Sequence, residues 1–192
     1  MVRVSDCATL FLAWGVATLA GCSDDSRPRK DYDPDAVAKA AIASCDDDAD
    51  GKLTEEELEA CLALQSAVDR IDANQDGAVD QAEIARRVAS YAAMSEYIVA
   101  DVLVKRGPRP LSGAAVTLQL APYMNAEPLR FTATTDGTGI GTPASSPKPV
   151  LGFPPGFYDV EVVHNGETRK FGVEMADDNP TVSRLEFDMR EP

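Results

Sequence analysis

The spacing of apolar positions changes character midway along this chain. From Asp33 to Tyr91 they recur at helical intervals, first Ile42 and Cys45, then Leu58, Cys61, Leu62, Leu64, Val68 and Ile71, then Ile84, Val88 and Tyr91. Asp33 as N-cap with Pro34 at the first helical position starts a helix that runs to about Cys45. A middle helix is expected from about Glu55 to Ile71, continuous or tightly kinked, and a last one from near Gln81. After about Glu96 the helical period stops. Apolar and β-branched runs separated by turn residues predict strands over Tyr97–Lys105, Ala115–Ala121, Leu129–Thr135, Phe157–Val163, Arg169–Met175 and Val182–Met189. Asn165-Gly166 predicts a type I′ hairpin, and Asp136-Gly137 a second turn. The expected class is α+β in separate domains, an all-α region over 33–95 followed by an antiparallel β-sandwich over 97–192.

Two twelve-residue stretches between the helices, Asp46–Glu57 and Asp72–Glu83, carry oxygen-bearing side chains at alternate positions. Packing has no use for carboxylates at that density, whereas a hard divalent cation does. Calcium takes about 6–8 oxygen ligands at roughly 2.3–2.6 Å. In the first stretch Asp46, Asp48 and Asp50 supply alternating oxygens and Gly51 permits the reversal. Lys52 offers its backbone carbonyl, Thr54 reaches the ion directly or through water, and Glu57 closes the sphere with both carboxylate oxygens. The second stretch repeats this with Asp72, Asn74, Asp76, Gly77, the Ala78 carbonyl, Asp80 and Glu83. Both match D-x-[DN]-x-[DN]-G with Glu six residues after the Gly, and so resemble EF-hands at every ligand position. The resemblance implies two bound calcium ions and a short β-bridge pairing Leu53 with Val79. The loops start only 26 positions apart, closer than in a typical pair, which resembles the compact pairs of bacterial extracytoplasmic proteins.

The amino terminus reads as a targeting segment. Arg3 precedes a short apolar run from Ala8 to Ala20, below the ~20 residues a membrane-spanning helix needs. The run ends Leu19-Ala20-Gly21-Cys22, which looks like a bacterial lipobox. That resemblance implies a signal peptide over 1–21, lipidation of Cys22, a tether over 22–32 and an extracytoplasmic protein anchored to the cell envelope. Of the four cysteines, Cys45 and Cys61 then remain. In EF-hands both positions face the interior between the helices, and an oxidising compartment permits a Cys45–Cys61 disulfide. Two buried thiols acting as small apolar groups are the alternative.

Composition adds exclusions. Net charge is −14, and residues 45–83 alone hold 13 acids against Lys52 and Arg70. Nucleic acid is an unsuitable partner, since phosphate binding demands a basic face. The loops repel themselves without metal, so calcium and folding are expected to be coupled. The one histidine, His164, sits beside the hairpin turn, and no nucleophile elbow or phosphate-cradling glycine loop occurs, so no enzyme is expected. Val99–Val104, Pro110–Leu118, Thr135–Gly139 and Phe153–Val160, in that order, resemble the carboxypeptidase regulatory-like (transthyretin-like) β-sandwich of bacterial surface lipoproteins over roughly 97–190. The resemblance implies a Greek-key sandwich acting as a binding or assembly module for a protein or glycan. Residues 141–150 form a longer, stiffer loop than that family carries. The expectation is a calcium-binding lipoprotein with mainly structural calcium, or alternatively a calcium-responsive regulatory subunit of a surface complex.

Overall fold

The computed structural model describes residues 31–190, apart from 125, 127, 146–148 and 150. The expected signal segment over 1–21 and the expected lipidation site Cys22 lie outside the described residues, as does part of the 141–150 loop.

The helical region opens as expected. Helix α1 spans Pro34–Cys45, and the Asp33 carboxylate accepts from the Asp35 and Ala36 amides at 3.2 Å each. This satisfies two of the orphan donors at the helix start. Its buried face is Val37, Ala38, Ala41 and Cys45, with Ile42 at the margin. The first loop leads through β1 (Lys52–Leu53) into the middle segment. Here the expectation of a middle helix is corrected, because the segment is broken into three single turns, α2 (Glu55–Leu58), α3 (Leu62–Gln65) and α4 (Val68–Ile71). No Gly or Pro causes the breaks. Cys61 leaves the helical region at φ −114°, ψ 61° while bonded back to Cys45, and Ala67 does so at φ −119°, ψ 5°. Covalent geometry and tertiary packing therefore override local propensity. The second loop continues through β2 (Val79–Asp80) into α5 (Gln81–Ser90), which ends in a 3₁₀ turn at Tyr91–Ala93.

The β-region is a two-sheet sandwich of antiparallel-rich strands. These are β3 (Asp101–Arg106), β4 (Arg109–Pro110), β5 (Ala115–Leu120), β6 (Arg130–Thr134), β7 (Ile140–Gly141), β8 (Ala144–Ser145), β9 (Gly156–His164), β10 (Glu167–Met175) and β11 (Arg184–Asp188). The five-stranded sheet runs β10-β9-β5-β6-β8, and the other β11-β3-β4 with β7 also on β3. The six predicted strands all form with shifted ends, while the two-residue strands β4, β7 and β8 carry too few residues for a period to show. One pairing departs from antiparallel order, β11 lying parallel to β3 with Leu185 opposite Val102. Asn165 at φ 50° and Gly166 at φ 82° make the expected tight hairpin, with His164 opposite Glu167. In the other turn the left-handed residue is Gly139 (φ 77°) rather than Gly137, and a Cβ there would fall 2.8 Å from the Val104 carbonyl oxygen.

Side chains along β10 alternate between faces. Phe171 and Val173 face the second sheet, where the Phe171 and Phe187 rings lie 5.2 Å apart. Gly172 and Glu174 point the other way, toward the helices. Phe157, opposite Glu174 on β9, meets the Tyr91 ring edge-on at 5.9 Å. The helical region thus forms a third layer on one end of the five-stranded sheet. At Gly172 a Cβ would lie 2.0 Å from the Leu62 carbonyl group and 2.2 Å from the Ala63 nitrogen. The α3 backbone rests directly on the strand because this residue has no side chain.

Candidate metal centre

Both loops take the same path. Ala49 (φ 61°) and Gln75 (φ 59°) are left-handed at the fourth position, Gly51 (φ 88°) and Gly77 (φ 85°) at the sixth. The first aspartate organises each reversal. Asp46 Oδ1 accepts from Ala49 N at 2.7 Å and Oδ2 from Gly51 N at 2.9 Å. Asp72 does the same for Gln75 N at 2.7 Å and Gly77 N at 3.0 Å. The glycines were legible in the sequence, whereas the positive φ at Ala49 and Gln75 was not, because only the inward turn of the third and fifth side chains requires it.

The two loops meet through β1 and β2, with Leu53 opposite Val79 and Lys52 opposite Asp80. The Leu53–Val79 pairing is the one the EF-hand resemblance implies, and both side chains are fully buried. The closing glutamates are held in place. Glu57 accepts from Asp47 N at 2.9 Å and from Thr54 N and Oγ1 at 2.8 Å each. Glu83 accepts from Ala73 N and Asp80 N at 3.1 Å each, and Asp80 Oδ1 in turn caps Glu83 N at 2.9 Å. That reciprocal pair is a capping box.

Charge separates the loops. Carboxylate oxygens of Asp46, Asp48 and Asp50 lie within 4.8 Å of one another. The Asp48 carboxyl accepts a hydrogen bond from the Asp50 amide, which lowers its pKa. Desolvation and repulsion from Asp50, Glu57 and Asp46 outweigh this and hold it above the ordinary value. A cation among these oxygens relieves that repulsion. In the second loop Asn74 stands in the middle position and its Nδ2 donates to Asp76 Oδ2 at 3.2 Å. Lys52 Nζ reaches across from the first loop to the same oxygen at 3.1 Å. The Ala78 amide bond and then this ammonium hold the Asp76 carboxyl below its usual range. Lys52 was expected to offer only its backbone carbonyl, but its ammonium group also ties the loops together. The all-oxygen donor set fits a hard divalent cation of calcium's kind. Asp46, Asp48, Asp50, Lys52 and Glu57 would hold one ion, and Asp72, Asn74, Asp76, Ala78 and Glu83 a second.

A disulfide joins Cys45 and Cys61, with Cα atoms 6.1 Å apart, and so closes the first loop covalently. The second loop is fastened differently, by residues the sequence did not single out. Glu174 of β10 is fully buried. It accepts from Arg70 Nε at 2.6 Å, Arg87 Nε at 2.5 Å and the Tyr91 hydroxyl at 2.7 Å. Arg87 also makes a two-pronged bond with Asp178, 2.7 Å for each pair, and lies 5.6 Å from the Tyr91 ring centre. Burial opposes the charge on Arg87, but its bonds to Asp178 and Glu174 prevail and raise its pKa. One signal existed in the sequence: Arg87 falls within the apolar stripe of Ile84, Val88 and Tyr91. Glu174 gave none, since its parity in β10 is that of a solvent-facing residue.

Comparison with known proteins agrees with the loops. The family model described as EF hand matches residues 40–62 and 64–89, the helical region that holds both loops. Together with the Asp46, Asp48 and Asp50 cluster, the match points to calcium binding. A comparison with curated proteins finds no match. Among solved structures, chlorocatechol 1,2-dioxygenase from Pseudomonas putida is similar at 12% identity and a TM-score of 0.26, over 50% of this chain and 56% of that one. An (S)-allantoin synthase is similar at 15% identity and a TM-score of 0.33, over 80% of this chain and 63% of that one. The chain therefore spans less than two thirds of either protein. Likeness at this level carries no argument about activity.

Proposed function

We propose that the chain is a non-enzymatic, extracytoplasmic calcium-binding lipoprotein with two calcium ions in a chiefly structural role. On this reading Cys22 carries the lipid that anchors it to the bacterial cell envelope. The β-sandwich serves as a binding or assembly module for a protein or glycan, and nucleic acid is not a partner. The observation that carries the calcium part is the paired EF-hand loops, with three aspartates converging in the first. The Cys45–Cys61 disulfide supports an oxidising, extracellular-type compartment. Among the described residues no helix is long and apolar enough to cross a membrane. A structural role is supported by the way α4 and α5 are bonded to the sheet, which opposes a large opening of the second hand. On the sandwich, a cleft of about 380 Å³ lined by Gln119, Arg130, Asp159, Glu161 and Lys170 opens beside Leu62 and offers a mixed-charge binding face.

Calcium titration followed by hydrogen exchange across residues 33–95 tests the role of the ion. Structural calcium predicts collapse of amide protection on chelation and recovery on return of the ion. A responsive subunit predicts an ordered metal-free state that merely opens, and that result would reverse the reading. For the anchor, Cys22→Ser should abolish acyl labelling and release the protein from membranes.

A further inference from the structure

The two jaws of the second loop converge on a single carboxylate. Arg70 stands two residues before Asp72, the first ligand of the loop. Arg87 stands four residues after Glu83, the last ligand, one helical turn along α5. Glu174 gives Oε2 to Arg70 and Oε1 to Arg87, and Oε1 also accepts from Tyr91. Arg70 is braced by its own Nη2 bond to the Ser66 carbonyl at 2.9 Å, and Arg87 by Asp178. The Glu174 backbone is itself fixed, its carbonyl accepting from Asn179 Nδ2 at 2.8 Å. One strand of the sandwich therefore sets the separation of the helices that carry the loop's first and last ligands.

A calcium loop closes only when its first aspartate and its final glutamate stand at the right distance. Fixing that distance before the ion arrives removes an ordering cost from binding. We propose that Glu174 is a positioning residue for the second calcium site, so that the β-sandwich sets the calcium affinity of Asp72–Glu83 and calcium in turn fastens the helices to the sheet. The second half of this statement follows from the first, because coupling between two equilibria is reciprocal. The first site is held by Cys45–Cys61 and meets this control only indirectly, through the β1–β2 pairing and the Lys52–Asp76 bond. The inference rests on the calcium reading given above and adds to it a selective, long-range determinant of affinity.

The test uses the full chain with its disulfide formed, titrated with calcium chloride and followed by amide NMR. The amides of Gly51 and Gly77 donate to Asp46 and Asp72 and report the two loops separately. Glu174→Gln keeps the shape of the side chain and removes its charge. A coupling of ordinary size shifts the Gly77 midpoint to about tenfold higher calcium or more, with a much smaller shift at Gly51. Should that variant fail to fold, Arg70→Met decides by the same readout, since it removes one donor and leaves the Arg87–Glu174 pair. Equal shifts at both glycines, or none at Gly77, overturn the proposal, because general destabilisation does not distinguish the sites. If neither glycine of the unsubstituted chain responds to calcium, the calcium reading itself fails.

Discussion

The two EF-hand-like loops share a pattern, a backbone path and a joining β-bridge, yet differ in what holds them shut. The first is closed by a covalent bond between residues close in sequence, and its Asp48 and Asp50 stand exposed beside a half-buried Asp46, with Asp48 repelled by both. The second has fewer carboxylates, a lysine from its neighbour on one of them, and a closing glutamate only 5% exposed. It is fastened to a strand about ninety residues further along the chain, at Glu174. The same twelve-residue motif can therefore be locally sufficient or dependent on the whole fold. Ligand identity does not distinguish these cases, and the contacts of the flanking helices do.

The largest effect expected on this contrast comes from opening the disulfide. Cys45→Ala with Cys61→Ala should lower stability by about 3 kcal/mol, the value for a closed loop of this length. Denaturant unfolding in saturating calcium measures it, and hydrogen exchange should show the loss concentrated around the first loop. Gly172→Ala places a methyl group against the Leu62 backbone. A loss near the top of the range of about 1–3 kcal/mol is expected, because backbone cannot move aside as a side chain can. Exchange should place the damage in α3 and α4, so that the second loop suffers more than the first. Wild-type stability in this variant would contradict the packing described.

Smaller effects follow from charge. Lys52→Met frees Asp76 from a competing cation, so calorimetry should show modestly tighter calcium binding at the second loop, the gain shrinking with added salt. Asp178 is held below its ordinary pKa of 3.8 by its bond from Arg87. Its contribution is thus fully present above that value and is lost as pH falls through the depressed one. Stability should not respond to this group between neutrality and about pH 5, with the loss confined to stronger acid. Arg87→Met should return the Asp178 titration to the ordinary range, read by carboxyl NMR.

Much of this was legible in the sequence, and what was hidden has common causes. The loops, α1, α5, the six longer strands and the Asn165-Gly166 hairpin each follow from local chemistry, so their residues announce them. The Cys45–Cys61 bond was reachable because the EF-hand resemblance placed both side chains inward. The breaks at Cys61 and Ala67 were hidden because the apolar spacing of Leu58 to Ile71 suits a continuous helix, whereas the disulfide at Cys61 and the seating of Leu62 and Ala63 on Gly172 are long-range constraints that spacing does not show. Glu174 was hidden because strand alternation reveals which face a residue takes, not whether another layer covers that face. The parallel pairing of β11 with β3 depends on the path of the chain between sheets, on which residue periodicity is silent.

The bare strand at Gly172 bears on how such a molecule is inherited. A helical pair resting on a neighbour through backbone contact cannot be moved to another sandwich by recombination at the linker alone. The recipient would need a glycine at the matching register, and an acid two positions further on to receive the arginines. Relatives that preserve this arrangement should therefore gain or lose Gly172, Glu174, Arg70 and Arg87 together, even while the loop ligands drift independently.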